Sequence, residues 1–469
     1  MRVVYAIRDD GGTLVDRIKS ESHDVLAVPG DAPPGSVFDG PWGAEVQRLD
    51  AEYVIAESPS GYAAVIVDHY GLDTWWERAV RAVSPRIIAL DDLANRSHDV
   101  DVLVDQNWYG PGTESRYNGL VPDHCVELLG PRYAPLQAEY AAARASRAPL
   151  NDPPQRILIS FGGVDPTGET VKVVTALCAS EFDGVAVDVV LGSRLLLSDQ
   201  LATMIDGRPD TALHIGLPTL ADLLARADLA VGASGSGTWE RACLGVPALV
   251  TTTSAAHSGV TAALADAGMT IWAGLGGDVS TEQYRDYVER CMAGDLPIPP
   301  PLADGHGAAR IVETIASTDD AELSLRSATE LDAPLFIGAD VGDPSGEPKL
   351  LEGPASWRIA TERFAEHLVR PDRRAIVVML GGVPVGRVYA HLEDGAIRAS
   401  FDLDDFVGGR KLGGSVISKL ARSQWTVRGN DLGWQAPSSI NPSDTSGGVP
   451  PADRYGSMRI PTSSIAVDS

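Results

Sequence analysis

Short aliphatic runs alternate with helix-patterned stretches along most of the chain. The early runs fall at 3–7, 25–28, 63–67, 87–90 and 102–104, and segments such as 14–20 and 75–83 between them space their apolar residues as helices do. Brief continuous Val/Ile/Leu runs suit strands covered on both faces, and alternation with helices makes neighbouring strands parallel. A polar, alanine-rich stretch over 141–154, ending in Asn-Asp-Pro-Pro, interrupts this pattern and reads as a domain linker. The alternation resumes with runs at 157–160, 185–191, 212–215, 229–231, 248–251 and 269–272, while Leu220, Leu223, Leu224 and Ala227 mark one apolar helix face. Two α/β domains with parallel sheets are therefore predicted, over 1–145 and 154–318.

Beyond 318 the pattern changes. Residues 375–390 read as a β-hairpin turning at Gly381-Gly382, and Val416, Ile417 and Leu420 follow helical spacing. This predicts an α+β domain over 323–425. The remainder, 426–469, is rich in Ser, Pro, Gly and Asp. It is predicted to be largely disordered, because such a composition buries too little apolar surface to offset the entropy of ordering.

Composition narrows the partners. The 469 residues suit about three domains. A net charge of −26 argues against a nucleic-acid groove or an anionic membrane as partner. Cys125, Cys178, Cys243 and Cys291 lie far apart, without disulfide-like or zinc-like spacing. No cluster of carboxylates and histidines has ligand spacing, so no metal is expected. The opening residues run straight into a strand pattern rather than a signal peptide, and no apolar run approaches membrane-spanning length. A cytoplasmic protein is expected.

The candidate chemistry lies just after the strands, where open parallel sheets bind ligands, and two such domains suggest a cleft. The segment 231–247, Val-Gly-Ala-Ser-Gly-Ser-Gly-Thr-Trp-Glu-Arg-Ala-Cys-Leu-Gly-Val-Pro, follows an apolar strand and opens a helix. Small residues there let backbone amides approach a phosphate. Phe161-Gly162-Gly163-Val164-Asp165-Pro166 follows 157–160 in the same way, with Asp165 or Thr167 able to cap the next helix. Asp68-His69-Tyr70-Gly71-Leu72-Asp73 follows 63–67, and Asp91-Asp92 follows 87–90.

These segments, with Trp76-Glu77, Asp91-Asp92-Leu93 and Gly130-Pro131-Arg132-Tyr133-Ala134-Pro135-Leu136, occur in an order that resembles the UDP-2,4-diacetamido-2,4,6-trideoxy-β-L-altropyranose hydrolases of pseudaminic acid biosynthesis. The resemblance covers roughly 1–315. It implies a GT-B-like pair of Rossmann-like domains, and hydrolysis of a UDP-sugar at the anomeric C–O bond to free sugar and UDP. It also implies UDP binding by Gly162, Gly163, Ser234, Gly235, Ser236, Gly237 and Thr238, with Glu240 on the ribose. Asp68, His69 and Tyr70 become the catalytic candidates, His69 the best surviving polar one, and no cofactor is required. A GT-B glycosyltransferase using a UDP-sugar would bind UDP identically. A non-catalytic UDP-sugar binder or N-acetyltransferase pathway protein is the third reading.

The chain departs from that family in two places. Members carry a Gly-x-Gly-His-x-x-Arg loop after their first strand, whose histidine resembles a general base, whereas residues 1–14 match the second strand and its turn. Either translation begins upstream of Met1, or the chain lacks the base and part of its central sheet. Ala255-Ala256-His257 also stands where relatives carry Asn-Gln. His23, His98, His124 and His214 read as surface or packing residues. The third domain resembles a degenerate GCN5-related N-acetyltransferase, in Leu325-Arg326-Ser327-Ala328-Thr329-Glu330-Leu331-Asp332 and in the turn at 408–415. That likeness implies acetyl-CoA as a ligand of Arg410, Gly413 and Gly414.

Overall fold

A computed structural model describes residues 3–8, 14–30, 40–58, 60–297, 299, 302–316, 322–336, 354–393, 396–404, 412–428, 431–435 and 455–461. The chain divides into two compact units, one comprising Met1–Asp105 with Gly112–Leu129, the other Gln106–Pro111 with Gly130–Ser469. The fold class is α/β: Rossmann-like parallel sheets followed by an antiparallel sheet with helices.

The first unit has parallel strands β1 (Val4–Arg8), β2 (Asp24–Val28), β3 (Val65–Val67), β4 (Ile87–Leu90), β5 (Val102–Asp105) and β6 (Val126–Leu129), with helices α1 (Leu14–Ser20), α2 (Ala44–Ala56) and α3 (Thr74–Val80). They form two sheets, a pair β1-β2 and a run β3-β4-β5-β6, rather than one. Strand β1 lies at an edge of the pair and β3 at an edge of the run, and Tyr5 of β1 and Ile66 of β3 are 40% and 55% exposed.

The second unit begins with helix α4 (Ala138–Ser146), which occupies part of the stretch read as a linker. Alanine is the strongest helix former, and burial of Tyr140 and Ala143 against Leu224, Trp239 and Cys243 places the helix in this unit instead of at the end of the first. The parallel strands that follow are β7 (Arg156–Ser160), β8 (Ala186–Leu191), β9 (Thr211–Ile215), β10 (Leu229–Ala233), β11 (Ala248–Thr252) and β12 (Ile271–Leu275). Helices α5 (Glu169–Leu177), α6 (Asp199–Gly207), α7 (Ala221–Arg226), α8 (Gly237–Cys243), α9 (Ser258–Asp266), α10 (Thr281–Met292) and α11 (Gly307–Ala316) complete the domain. The order β12-β11-β10-β7-β8-β9 reverses direction between β10 and β7. At such a switch point the loops after the two strands part, and a crevice opens at their carboxyl ends.

The same unit continues into a five-stranded antiparallel sheet, β13 (Leu323–Ser327), β14 (Arg373–Leu380), β15 (Val383–Glu393), β16 (Ala396–Leu403) and, last in sequence, β19 (Tyr455–Pro461). The β14–β15 turn is at Gly381-Gly382, both with positive φ, as the sequence suggests. Helices α12 (Ala333–Phe336), α13 (Pro354–Val369) and α14 (Gly413–Arg422), and a hairpin of β17 (Gln424–Arg428) and β18 (Asp431–Gln435), accompany the sheet. Strands β18 and β19 fall within the stretch expected to be largely disordered. From Ala396 to Asp402, strand β16 pairs with β19, and main-chain hydrogen bonding to a formed neighbour does not require an apolar composition.

This sheet is fused to the preceding parallel-sheet domain rather than tethered to it. Ala333, Leu335, Phe336, Phe364 and Val377 share one core with Tyr140, Trp239 and Leu224. Arg310, fully buried on α11, pairs with Asp304 at 2.5 Å and donates to the Pro384 carbonyl at 3.0 Å, while Arg132 pairs with Asp404.

Candidate functional site

Strand β10 approaches β7 so closely that a Cβ on Gly232 would lie 2.2 Å from the Ser160 carbonyl oxygen. Glycine is therefore required there. Gly235 turns the chain with φ +110°, in the region that favours glycine. The Ser234 amide donates to the Thr251 carbonyl and the Thr238 amide to the Gly235 carbonyl. Among the described residues, no acceptor pairs with the amides of Gly235, Ser236 and Gly237. Trp239 is buried beneath the turn, its indole N–H donating to Asn107 at 3.2 Å.

Beside this turn, at the switch point, lies a cavity of about 440 Å³. Ser160 at the end of β7 and Gly162 just after it line the cavity, with Ser234, Ser236 and Gly237 from the turn, Glu240 and Arg241 from α8, Leu217–Leu220 from the loop before α7, and Pro135–Gln137 with Tyr140 from α4 and its approach. Of the residues expected to hold UDP, Gly162, Ser234, Ser236, Gly237 and Glu240 thus meet at one cavity. Gly163, Gly235 and Thr238 do not line it. Gly163 backs onto Gly192, where a Cβ would meet its Cα at 2.5 Å, Gly235 faces His257, and Thr238 Oγ1 accepts from Arg241 at 3.3 Å.

Two consecutive residues of α8 dominate the electrostatics. Burial lifts the Glu240 carboxyl above its usual range, opposed by a hydrogen bond from Tyr140 and by Arg241. The Tyr140 hydroxyl also accepts from the Leu220 amide at 3.2 Å, fixing the loop before α7 to the same pair. Arg241 runs under the turn, with Nη1 3.3 Å from where a Cβ on Gly232 or Gly237 would sit. Its Nη2 donates to the Ala233 carbonyl at 2.9 Å, and its Nε is buried without a partner. Burial pushes its pKa down to about 10. Among the described residues it forms no ion pair at contact distance, unlike Arg310; the Glu240 carboxyl acts on it only through space, and a buried charge without a contacting counter-ion is costly. Tyr140 and Arg241 were not singled out from sequence. The weak signal for Arg241 was its place beside Glu240, and Tyr140 sat at the edge of a presumed linker.

The other candidates lie in the first unit, on the loop after β3. Burial, then the neighbouring Asp92, holds the Asp68 carboxyl above its usual range. Tyr70 donates to Asp92 at 2.7 Å. His69 accepts the Gly71 amide on Nδ1 at 2.9 Å, and its ring meets Trp42 edge-on at 4.3 Å. Burial holds the imidazole below its usual range, so the ring is neutral with its proton on Nε2, a donor rather than a base. Arg96 braces this loop, donating to the Leu72 and His69 carbonyls and pairing with Asp91 at 2.7 Å. His98, expected to be an ordinary surface or packing residue, is buried between two carboxylates, with Nδ1 2.6 Å from Glu77 and Nε2 3.7 Å from Asp91. Burial opposes its charge, yet those two carboxylates push its pKa up to about 8. In the last domain Gly413 and Gly414 occupy the first turn of α14, and Arg410 lies outside the described residues.

No family model matches the chain. It is 27% identical over 202 residues to the spore coat polysaccharide biosynthesis protein SpsG of Bacillus subtilis, covering 41% of this chain and 59% of that protein. It is also 27% identical over 127 residues to the UDP-2,4-diacetamido-2,4,6-trideoxy-β-L-altropyranose hydrolase of Campylobacter jejuni, covering 27% of this chain and 44% of the hydrolase. The chain spans about half the length of these curated relatives. Among solved structures, MurG of Acinetobacter baumannii aligns over 68% of this chain and 91% of its own, at 13% identity and a TM-score of 0.45. No helix of the described residues is long and apolar enough to cross a membrane.

Proposed function

We propose that the cavity beside the glycine turn binds a UDP-sugar and that the protein hydrolyses it at the anomeric carbon. The observation that carries this reading is Arg241, a buried guanidinium without an ion pair, beneath a turn whose amides are unpaired and next to the Glu240–Tyr140 pair. An anionic diphosphate on the turn would give Arg241 a contacting counter-charge, and the Glu240 carboxyl suits a ribose hydroxyl. In the reaction a water oxygen bonds to C1 as the C1–O bond to the diphosphate breaks. UDP departs with the electron pair, and the water gives up a proton. That proton passes to solvent or to a basic side chain, and Asp68, His69 and Tyr70 are the proposed catalytic residues.

The favoured substrate is a UDP-activated diacetamido-trideoxy sugar, as in the Campylobacter relative. Incubation of the purified chain with that sugar nucleotide in water is expected to give UDP and free sugar by mass spectrometry. Intact substrate overturns the hydrolase reading. Release of UDP only when an acceptor sugar is added instead favours a glycosyltransferase, the reading that a relative in polysaccharide biosynthesis supports. Acetyl-CoA remains a proposed ligand of the last domain through Gly413 and Gly414, and a calorimetric titration without heat removes it.

A further inference from the structure

Strand β5 ends at Asp105, and the next residues, Gln106–Pro111, belong to the second unit before the chain rejoins the first at Gly112. This excursion is anchored at its start. Asn107 is buried and accepts the Trp239 indole N–H at 3.2 Å beneath the glycine turn, and Trp108 and Tyr109 pack against the core that contains Trp239. Asp105, on the other side of Gln106, is buried and pairs with Arg116 at 3.0 Å. Gln106 therefore stands between two fixed residues, and it lines the cavity. Among the described residues its carboxamide makes no hydrogen bond. Gln137, the other carboxamide at the cavity, is exposed at the start of α4 and has no such bracing. A polar side chain that is held in place but not used within the protein is preorganised for a ligand.

The connectivity of the first sheet says which part of a ligand Gln106 meets. Strands β3, β4 and β5 are parallel neighbours, so the segments that follow them leave one edge: Asp68, His69 and Tyr70 after β3, Asp91 and Asp92 after β4, and Gln106 after β5. Hydrogen bonds tie these segments together. Tyr70 donates to Asp92 at 2.7 Å, and Arg116 donates both to the Asp92 carbonyl at 2.7 Å and to the Asp105 carboxylate at 3.0 Å. Gln106 is thus next in the chain to the network that holds the proposed catalytic residue Tyr70. A carboxamide offers both a donor and an acceptor, which suits an acetamido or hydroxyl group. We propose that Gln106 is a specificity-determining residue that hydrogen-bonds the sugar of a bound UDP-sugar, and that Asn107, held by Trp239, is the positioning residue that aims it. The inference rests on the UDP-sugar reading above and adds to it the residue that tells the sugar nucleotide from UDP itself.

Two measurements on the full chain test it: the calorimetric Kd for UDP, and the KM for UDP-2,4-diacetamido-2,4,6-trideoxy-β-L-altropyranose read from UDP release. If that sugar nucleotide stays intact, its calorimetric Kd replaces the KM. Gln106→Ala is expected to weaken the sugar nucleotide about tenfold and to leave UDP within about twofold, because the contacts to the nucleotide are untouched. Asn107→Leu, which keeps the volume and removes the acceptor, is expected to give a smaller loss of the same selectivity, and Asn107→Asp, which keeps an acceptor oxygen, to recover it. Added to Gln106→Ala, Asn107→Leu should cost nothing further, since it acts through Gln106. Thermal unfolding confirms that each variant is folded, and Gln106, only half-buried, keeps the test in hand if a change at Asn107 does not fold. Unchanged affinity for the sugar nucleotide in Gln106→Ala, or equal losses for it and for UDP, overturns the specificity role while leaving the cavity a nucleotide site. Additive losses in the double variant overturn the positioning role of Asn107. If the wild-type protein binds neither compound, the UDP-sugar reading falls and this inference with it.

Discussion

The two parallel-sheet regions are written in the same alternating pattern and end in different states. In the second unit Ile157, Ile159, Leu229 and Val231 lie in the middle of a continuous six-stranded sheet, buried on both faces. In the first unit the equivalent kind of run yields a two-stranded and a four-stranded sheet, and Tyr5 and Ile66 face solvent from unpaired edges. Local pattern makes a strand, whereas burial of that strand depends on neighbours on both sides. Continuity of the sheet also matters for chemistry. The switch point of the complete sheet positions a cavity, while the loop after β3 is held by a buried charge network, Arg96–Asp91 and Glu77–His98.

This contrast can be tested from its strongest consequence downwards. Arg310→Met breaks a fully buried ion pair with Asp304 and removes the hydrogen bond to the Pro384 carbonyl that joins α11 to the antiparallel sheet. It is expected to cost about 3–5 kcal/mol in urea unfolding, because Asp304 is left buried and unpaired. Ile159→Ala in the complete sheet is expected to cost about 3 kcal/mol by the same measurement, whereas Ile66→Thr at the open edge should change stability by less than about 0.5 kcal/mol. Equal costs for these two variants would erase the distinction between the sheets.

The first unit is also expected to respond to pH. The folded pKa of His98, about 8, stands above its ordinary 6.5. Its stabilising contribution is therefore complete below about pH 6.5 and is lost as pH rises through 8, amounting to about 2 kcal/mol. Urea midpoints between pH 6 and 9 should fall in the wild type and stay flat in His98→Gln over that window. The smallest expected effect is on binding: Glu240→Ala should weaken UDP by about tenfold in calorimetry, the value of a hydrogen bond to a charged group. Unchanged affinity would remove the ribose assignment from α8.

Much of the fold is legible in the residues. The runs at 157–160 and 229–231 match β7 and β10 closely, and Gly381-Gly382 forms the expected hairpin turn. Helix α4 was hidden because its alanines carry no amphipathic signal on their own, and its inner face is defined by Trp239 and Leu224, which come much later in the chain. Strand β19 was hidden because its hydrogen bonds depend on β16 rather than on its own composition. Of the residues that line the cavity, Gly162, Ser234, Ser236 and Gly237 lie in turns readable from strand-turn-helix order, whereas only the family resemblance points to Glu240. His98 was not readable, since its charge state depends on Glu77 and Asp91, which different loops bring to it.

The sequence by itself determined the alternation of strands and helices and the glycine turn opening α8, because spacing, backbone freedom and side-chain volume are local properties. Tertiary structure alone decided that one sheet is continuous and the other split, that Arg241 is buried without an ion pair, and that Tyr140 closes on Glu240. Each of these depends on groups distant in the chain, brought together only when the hydrophobic cores close and water is excluded from their charges.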